Sequence, residues 1–278
     1  MTTSITYQPQ TIAEVVFGND ESRLMIEDII SGDIPFPFQG KTGILLHGVF
    51  GTGKTTLAKM LPEAIEFGQT GQSLNMPEEY FGCQQGHTGI GIAELVKKQL
   101  NTTSLNKSQH HYFIFDEVDN LSKTAQAGLK TTLNSNRAVF ILTTNNISQL
   151  DKGVKDRCVI VEMNAAKDAE FLPLARRIAA DAGAPLSDAE LLTEISGNNG
   201  SFRGVIFNVL RKAKRTARLA QAASIASASI QQAARDIQST FASLTLTELQ
   251  QQAVLNAFDS HFDANALVSV RASTVGHK

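Results

Sequence analysis

Apolar positions along this chain follow two alternating patterns. Four unbroken runs are short, rich in β-branched or aromatic residues, and bounded by glycine or polar clusters: Gly43-Ile44-Leu45-Leu46-His47, His111-Tyr112-Phe113-Ile114-Phe115, Ala138-Val139-Phe140-Ile141-Leu142 and Val159-Ile160-Val161. The first three predict buried core strands, and the fourth is strand-like. Helical stretches, among them Thr55-Thr56-Leu57-Ala58-Lys59-Met60-Leu61, alternate with them from Thr11 to about Val161. That alternation predicts an α/β domain, a parallel sheet with helices on both faces. Beyond Asn164 the strand runs stop, and Phe171–Ile178, Leu186–Leu192 and a long segment from Ser201 read as three helices. Ser187 with Glu190 fits a capping box, Ala182-Gly183-Ala184-Pro185 breaks the first helix from the second, and Ser201 suits the cap of the third. The expected organisation is therefore an α/β domain over residues 1–163, a small helical domain over 164–218 and a helical C-terminal extension over 219–278. In the extension Val254, Leu255, Phe258 and Phe262 share one helical face, and Thr245 with Glu248 would start that helix. A subunit-packing helix and a loosely ordered extension both fit this Ala-, Ser- and Gln-rich stretch.

The strand ends carry the chemistry. Gly48-Val49-Phe50-Gly51-Thr52-Gly53-Lys54-Thr55 follows the first strand and opens a helix, matching G-x-x-x-x-G-K-[ST] in its required strand–loop–helix context. Backbone N–H groups of such a loop, together with the positive end of the following helix, face phosphate oxygens. Lys54 would reach the β and γ phosphates, and the Thr55 hydroxyl would ligate Mg²⁺; Thr56 completes the phosphate-binding turn. The second strand ends in Asp116-Glu117, two carboxylates suited to holding Mg²⁺ through water and to polarising an attacking water. The third runs into Thr143-Thr144-Asn145-Asn146, where Asn145 would touch both the γ phosphate and the water; an ordinary turn asparagine is the plainer alternative. Arg157 stands at the entrance of the fourth strand, and Arg203 rides on the helix opened by Ser201. Pairing with Asp151 or Asp156 is the plainer reading of Arg157, and an ion pair within its helix that of Arg203.

Composition narrows the class. The 278 residues are 42% hydrophobic and 19% charged, enough for a full core in about two domains, with a formal net charge of −2 that neither demands nor excludes nucleic acid. Cys83 and Cys158 are too few and too distant for a zinc cluster or a disulfide framework. No uninterrupted apolar run approaches a membrane span, and the first residues lack a signal pattern, so a cytoplasmic protein with no membrane partner is expected.

The order Gly48-to-Thr55, Asp116-Glu117, Asn145, Arg157, Arg203 resembles the AAA+ ATPases, in which these elements are Walker A, Walker B, sensor 1, arginine finger and sensor 2. Within that superfamily the chain is most similar to the clamp-loader clade, the small subunits of replication factor C and their phage and viral relatives. Tyr7 and Pro9, with Val16 and Phe17, look like the two segments that sandwich adenine. Asn75 looks like the polar strand residue that restrains the catalytic glutamate, and Asp156-Arg157-Cys158 stands where the family has serine-arginine-cysteine. Phe50 and Gln8 replace a proline and an arginine. The resemblance covers roughly Tyr7 to Arg218 and implies an oligomeric ring, of one or several kinds of chain, joined through Arg157. It further implies ATP and Mg²⁺ as ligands, a lid closing over the nucleotide, and DNA and a sliding clamp as partners. Lys123, Lys130 and Arg137, and the group Arg211, Lys212, Lys214, Arg215 and Arg218, are the basic residues suited to a DNA backbone; solvated helix faces explain them equally well.

Two other functions stay open on sequence. Tyr80-Phe81-Gly82 resembles the aromatic loop with which many AAA+ rings grip a threaded chain, which would make the protein a remodeller or helicase loader. A non-catalytic, ATP-switched scaffold is the third reading, opposed by intact Glu117 and Arg157.

Overall fold

A computed structural model describes residues 7–84 and 89–243, with Gln250, Ala253 and Asn256. The expected helix carrying Thr245, Glu248, Val254, Leu255, Phe258 and Phe262 lies outside the described residues. The chain divides into two compact units, Met1–Ala217 and Arg218–Lys278.

In the first unit, α1 (Asp20–Ser31), β1 (Gly43–His47), α2 (Lys54–Thr70), β2 (Glu79–Gly82), α3 (Gly89–Leu100), β3 (His111–Asp116), α4 (Lys123–Thr132), β4 (Ala138–Thr144), α5 (Lys152–Asp156) and β5 (Cys158–Glu162) succeed one another. The strands form one parallel sheet in the order β2-β3-β4-β1-β5. Successive side chains of a strand point to opposite faces, and the burial follows that period. Ile44 and Leu46 of β1, Tyr112 and Ile114 of β3, and Val139 and Ile141 of β4 pack with Ile26, Ile29, Leu57, Leu61 and Ile65 of α1 and α2. The intervening Leu45, Phe113, Phe115, Phe140 and Leu142 pack with Val96, Ala125, Leu129 and Val154 of α3, α4 and α5. Helices therefore cover both faces, and the two cores account for the unbroken apolar runs of β1, β3 and β4; β5, at the edge of the sheet, buries Val161 but leaves Ile160 exposed. Both cysteines are free and buried, and burial pushes each thiol to about 12, so neither is a thiolate at neutral pH.

After β5, α6 (Leu172–Asp181), α7 (Asp188–Ser196) and the start of α8 (Phe202–Ser243) enclose a third core of Phe171, Ala175, Ile178, Leu191, Ile195, Phe202, Val205 and Val209, against which Tyr7 is buried. The expected capping box is present, Ser187 accepting from the Glu190 N–H and the Glu190 carboxylate accepting from the Ser187 N–H. Ser201 accepts from the Gly204 N–H at the start of α8. In the second unit the described residues through Ser243 are helical, with Leu219, Ile225, Ile230 and Ile237 exposed. No described helix is long and apolar enough to cross a membrane.

Candidate nucleotide site

Parallel pairing brings every strand's carboxyl end to one edge of the sheet, where ligands of open α/β sheets bind. The loop after β1 folds over that edge with Gly51 and Gly53 at φ 82° and 92°, a left-handed conformation that glycine adopts without a Cβ penalty. Gly53 is also the N-cap residue of α2, whose first helical residue is Lys54. The Lys54 ammonium, only 7% exposed, donates to the carbonyls of Gly48 and Val49 at 3.0 and 2.7 Å. Burial pushes its pKa below the usual lysine range, with the Asp119 carboxylate opposing and Arg203 adding to that shift. An anion set beside it would relieve that penalty.

Asp116 ends β3 opposite this loop and is the hub of the site. Its Oδ1 accepts from the hydroxyls of Thr55 at 2.9 Å and Thr143 at 2.6 Å, and its Oδ2 from Tyr80 at 2.7 Å and Thr55 at 3.2 Å. Thr55 and Asp116 together present the all-oxygen donor set that Mg²⁺ takes, leaving most positions to phosphate and water. That composition fits the cation. Among the described residues no group of three or more His, Cys, Asp and Glu is able to hold a metal by itself, so a cation here would draw on the nucleotide for its remaining ligands.

Glu117 follows in the left-handed region at φ 59° and ψ 53°, a conformation that costs a non-glycine residue on the order of 1–3 kcal/mol. Its N–H donates to the Thr143 hydroxyl at 2.9 Å, and one carboxylate oxygen accepts from the Asn120 amide at 3.2 Å. Strain held by a specific bond at a strand end marks a residue whose direction matters. Lys54, Thr55, Glu117, Thr143, Asn145 and Arg203 line one pocket of about 130 Å³, which gathers four of the five elements of the sequence pattern around a single space. Tyr7, Pro9, Val16 and Phe17 line a larger pocket of about 690 Å³ with Lys167, Glu170 and Arg177. Phe202 borders both pockets and ties them together, its N–H donating to the Gly51 carbonyl at 2.9 Å. Arg177 lies over the Tyr7 ring at 5.9 Å from its centroid.

Arg157 is elsewhere. Its carbonyl accepts from the N–H groups of Thr42 and Gly43, at the entrance of β1, and its guanidinium donates to Asn134 Oδ1 at 2.7 Å and the Gly153 carbonyl at 2.8 Å. The expected alternative, pairing with Asp151 or Asp156, is not the arrangement found, and Asp151 meets Lys130 at 3.6 Å. The length of β1 separates Arg157 from the loop, roughly 16 Å for five residues at strand rise, so it does not reach the phosphate site of its own chain.

Two expectations need correction. Tyr80 and Phe81 do not sit on a loop: both belong to β2, paired in register with Ile114 and Phe115 of β3. Phe81 stacks on Phe115 at 5.1 Å between centroids, which turns it into the core, while Tyr80 turns to Asp116. Neither side chain is a free grip for a threaded polymer. Burial, with the Asp116 carboxylate next, pushes the Tyr80 phenol to about 12, so it remains a donor at neutral pH. Asn75 is likewise not a strand residue and does not touch Glu117. It lies ahead of β2 and bonds Asn106 and the Leu105 carbonyl; Asn120 holds the glutamate instead. Sequence reading gave Tyr80 a different role and gave Thr143 and Asn120 none at this site, where they bond Asp116 and Glu117.

The fold and this edge define a P-loop nucleotide-binding domain. Residues 44–164 match the model of the ATPase family associated with various cellular activities (AAA). Across 217 residues, 76% of the chain, it is 29% identical to Replication factor C small subunit 2 of Pyrobaculum islandicum, and across 201 residues, 71% of the chain, 25% identical to Replication factor C subunit 4 of Encephalitozoon cuniculi. The chain spans 62% and 60% of those relatives' lengths. Its backbone is similar to a point variant of Thermotoga maritima RuvB, with a TM-score of 0.54 at 17% identity over 76% of this chain and 65% of that one. C. elegans PCH-2 gives a TM-score of 0.52 at 14% identity over 76% and 71%. At these identities the two structures bear on the fold alone.

Proposed function

We propose that the chain is a Mg²⁺–ATP-hydrolysing subunit of an oligomeric, clamp-loader-like ATPase acting in DNA replication or repair. The observation that carries this reading is the grouping of Lys54, Thr55 and Glu117 around one pocket, with Asp116 bonded to Thr55 behind it and Arg157 at the opposite end of the strands. The likeness to replication factor C subunits supports the clamp-loader branch.

In this reading the base enters the larger pocket between Tyr7, Pro9, Val16 and Phe17, and the triphosphate lies along residues Gly48 to Thr56. Lys54 leaves the loop carbonyls for the β and γ phosphates. Thr55 and Asp116 hold the cation; bound Mg²⁺ would neutralise phosphate charge as it spreads over the transferring phosphoryl group. Glu117, beside Asn145, orients the attacking water and accepts its proton while the bond to the leaving β-phosphate oxygen breaks. Arg203, carried by α8, contributes positive charge from the helical side. Arg157 serves the site of a neighbouring subunit, because its own is out of reach, and a finger of this kind is worth about 10³ to 10⁵ in rate. ADP and phosphate are the products.

The test is steady-state ATPase at several protein concentrations, with and without primed DNA, for the wild type, Arg157→Ala and Glu117→Gln. Turnover per chain should rise with concentration, require both residues and increase with DNA. Turnover indifferent to concentration and to Arg157 would overturn the shared site.

A further inference from the structure

We propose that Tyr80 is a positioning residue of the cation site, fixing the Asp116 carboxylate from the outer strand of the sheet. This rests on the Mg²⁺–ATP reading above and assigns a role to a residue outside the recognised motifs. The geometry is specific. β2 is an edge strand of four residues whose register sets Tyr80 beside Ile114 and Gly82 beside Asp116. Asp116, two residues on from Ile114, shares its face of the sheet with Tyr80, and the Tyr80 hydroxyl meets Asp116 Oδ2 at 2.7 Å. Phe81, on the opposite face, anchors the strand by stacking on Phe115. The Lys59 ammonium of α2 covers the Tyr80 ring at 4.7 Å from its centroid, so the ring is held on a second side.

The bonding pattern divides the labour at Asp116. Thr143 fixes Oδ1 from β4, Tyr80 fixes Oδ2 from β2, and Thr55, the other oxygen donor for the cation, bridges both oxygens from the first turn of α2. A carboxylate freed of the Tyr80 bond regains rotation about its side chain, and ordering it again opposes cation binding. Nucleotide binding in the absence of the cation does not draw on Asp116 in this way.

Equilibrium binding of a fluorescent ATP analogue, titrated with Mg²⁺, tests the assignment without using turnover. Tyr80→Phe keeps the ring, the strand and the lysine contact and removes only the hydroxyl. It should raise the half-saturating Mg²⁺ concentration by about three- to tenfold, given one lost bond to a charged group at a half-exposed position, while affinity in chelator and the thermal midpoint stay at wild-type values. Lys59→Gln should shift the Mg²⁺ titration in the same direction by less, and carries the test if Tyr80→Phe alters the midpoint. An unchanged or a lowered Mg²⁺ requirement in Tyr80→Phe would overturn the assignment. Failure of the wild type to bind the analogue, or to respond to Mg²⁺, would instead overturn the nucleotide reading on which the assignment stands.

Discussion

The Asn120 side-chain amide donates to a Glu117 carboxylate oxygen and to the Cys83 carbonyl from the same nitrogen, each at 3.2 Å. Glu117 is thereby tied to the turn that follows it and to the exit of β2, and half its acceptor capacity is directed away from the pocket. In the proposed reaction Glu117 is the general base, and one engaged this way is held back from water until something displaces its partner. Asn120→Ala should raise basal ATPase at low protein concentration by about two- to fivefold, the size expected from one modest hydrogen bond, and reduce the further stimulation by primed DNA. A fall in basal rate would mean that Asn120 aims Glu117 rather than restrains it.

Backbone strain at Glu117 separates function from stability. The residue is exposed yet holds φ 59°, a conformation that costs an L-residue about 1–3 kcal/mol and that glycine adopts freely. Glu117→Gly should abolish turnover and leave the thermal midpoint unchanged or higher by about 3 °C. A midpoint lowered by several degrees would show that the bond to Asn120 outweighs the strain.

The legible and illegible parts of the site differ in kind. β1, β3 and β4 were readable because strands buried on both faces are continuous apolar runs, and the loop from Gly48 to Thr55 was readable because phosphate binding fixes residue types at fixed spacing. β2 was not: it is four residues long, pairs on one side only and exposes Glu79, Tyr80 and Gly82, so its two aromatics read as a loop motif. Thr143 was seen as part of a polar cluster, yet its bond to Asp116 depends on β3 and β4 pairing Phe115 with Leu142, and register between distant strands is not written in local sequence. Asn75 was placed beside the glutamate by resemblance alone; it lies ahead of the short β2, in a bend held by Asn106, a contact between residues 31 positions apart that no local pattern announces.

Histidine burial predicts an acid-sensitive stability. His110 has its pKa lowered, by burial first and then by His111, against the opposing pull of Glu66 and the Asn136 backbone, and its Nδ1 is buried without a hydrogen-bond partner. The unfolded chain takes up a proton near the ordinary value of 6.5, whereas the folded ring resists it, so the unfolded state binds more protons as pH falls and stability drops below about that pH. His47, lowered by burial as well, acts in the same direction. Thermal midpoints should therefore decline from about pH 7.5 to about pH 5.5, and His110→Gln should flatten that decline. A variant whose midpoint follows the wild type at every pH would remove His110 from the account.

The separation of Arg157 from Lys54 along β1 makes its own prediction about assembly. In one chain, the carbonyl of Arg157 binds the entrance of β1 and the phosphate loop leaves its exit, a span beyond a single arginine side chain. In the proposed ring each complete site takes Glu117 from one chain and Arg157 from the next. Arg157→Ala and Glu117→Gln should each lose about three orders of magnitude in turnover when assayed alone. Mixed in equal amounts and allowed to reassemble, random pairing in a head-to-tail ring of identical chains restores a whole site at roughly one interface in four, so about a quarter of wild-type turnover should return. Recovery requires that the two lesions fall in different chains of the same site; an inactive mixture whose subunits demonstrably exchange would show that the residues do not complement across the interface.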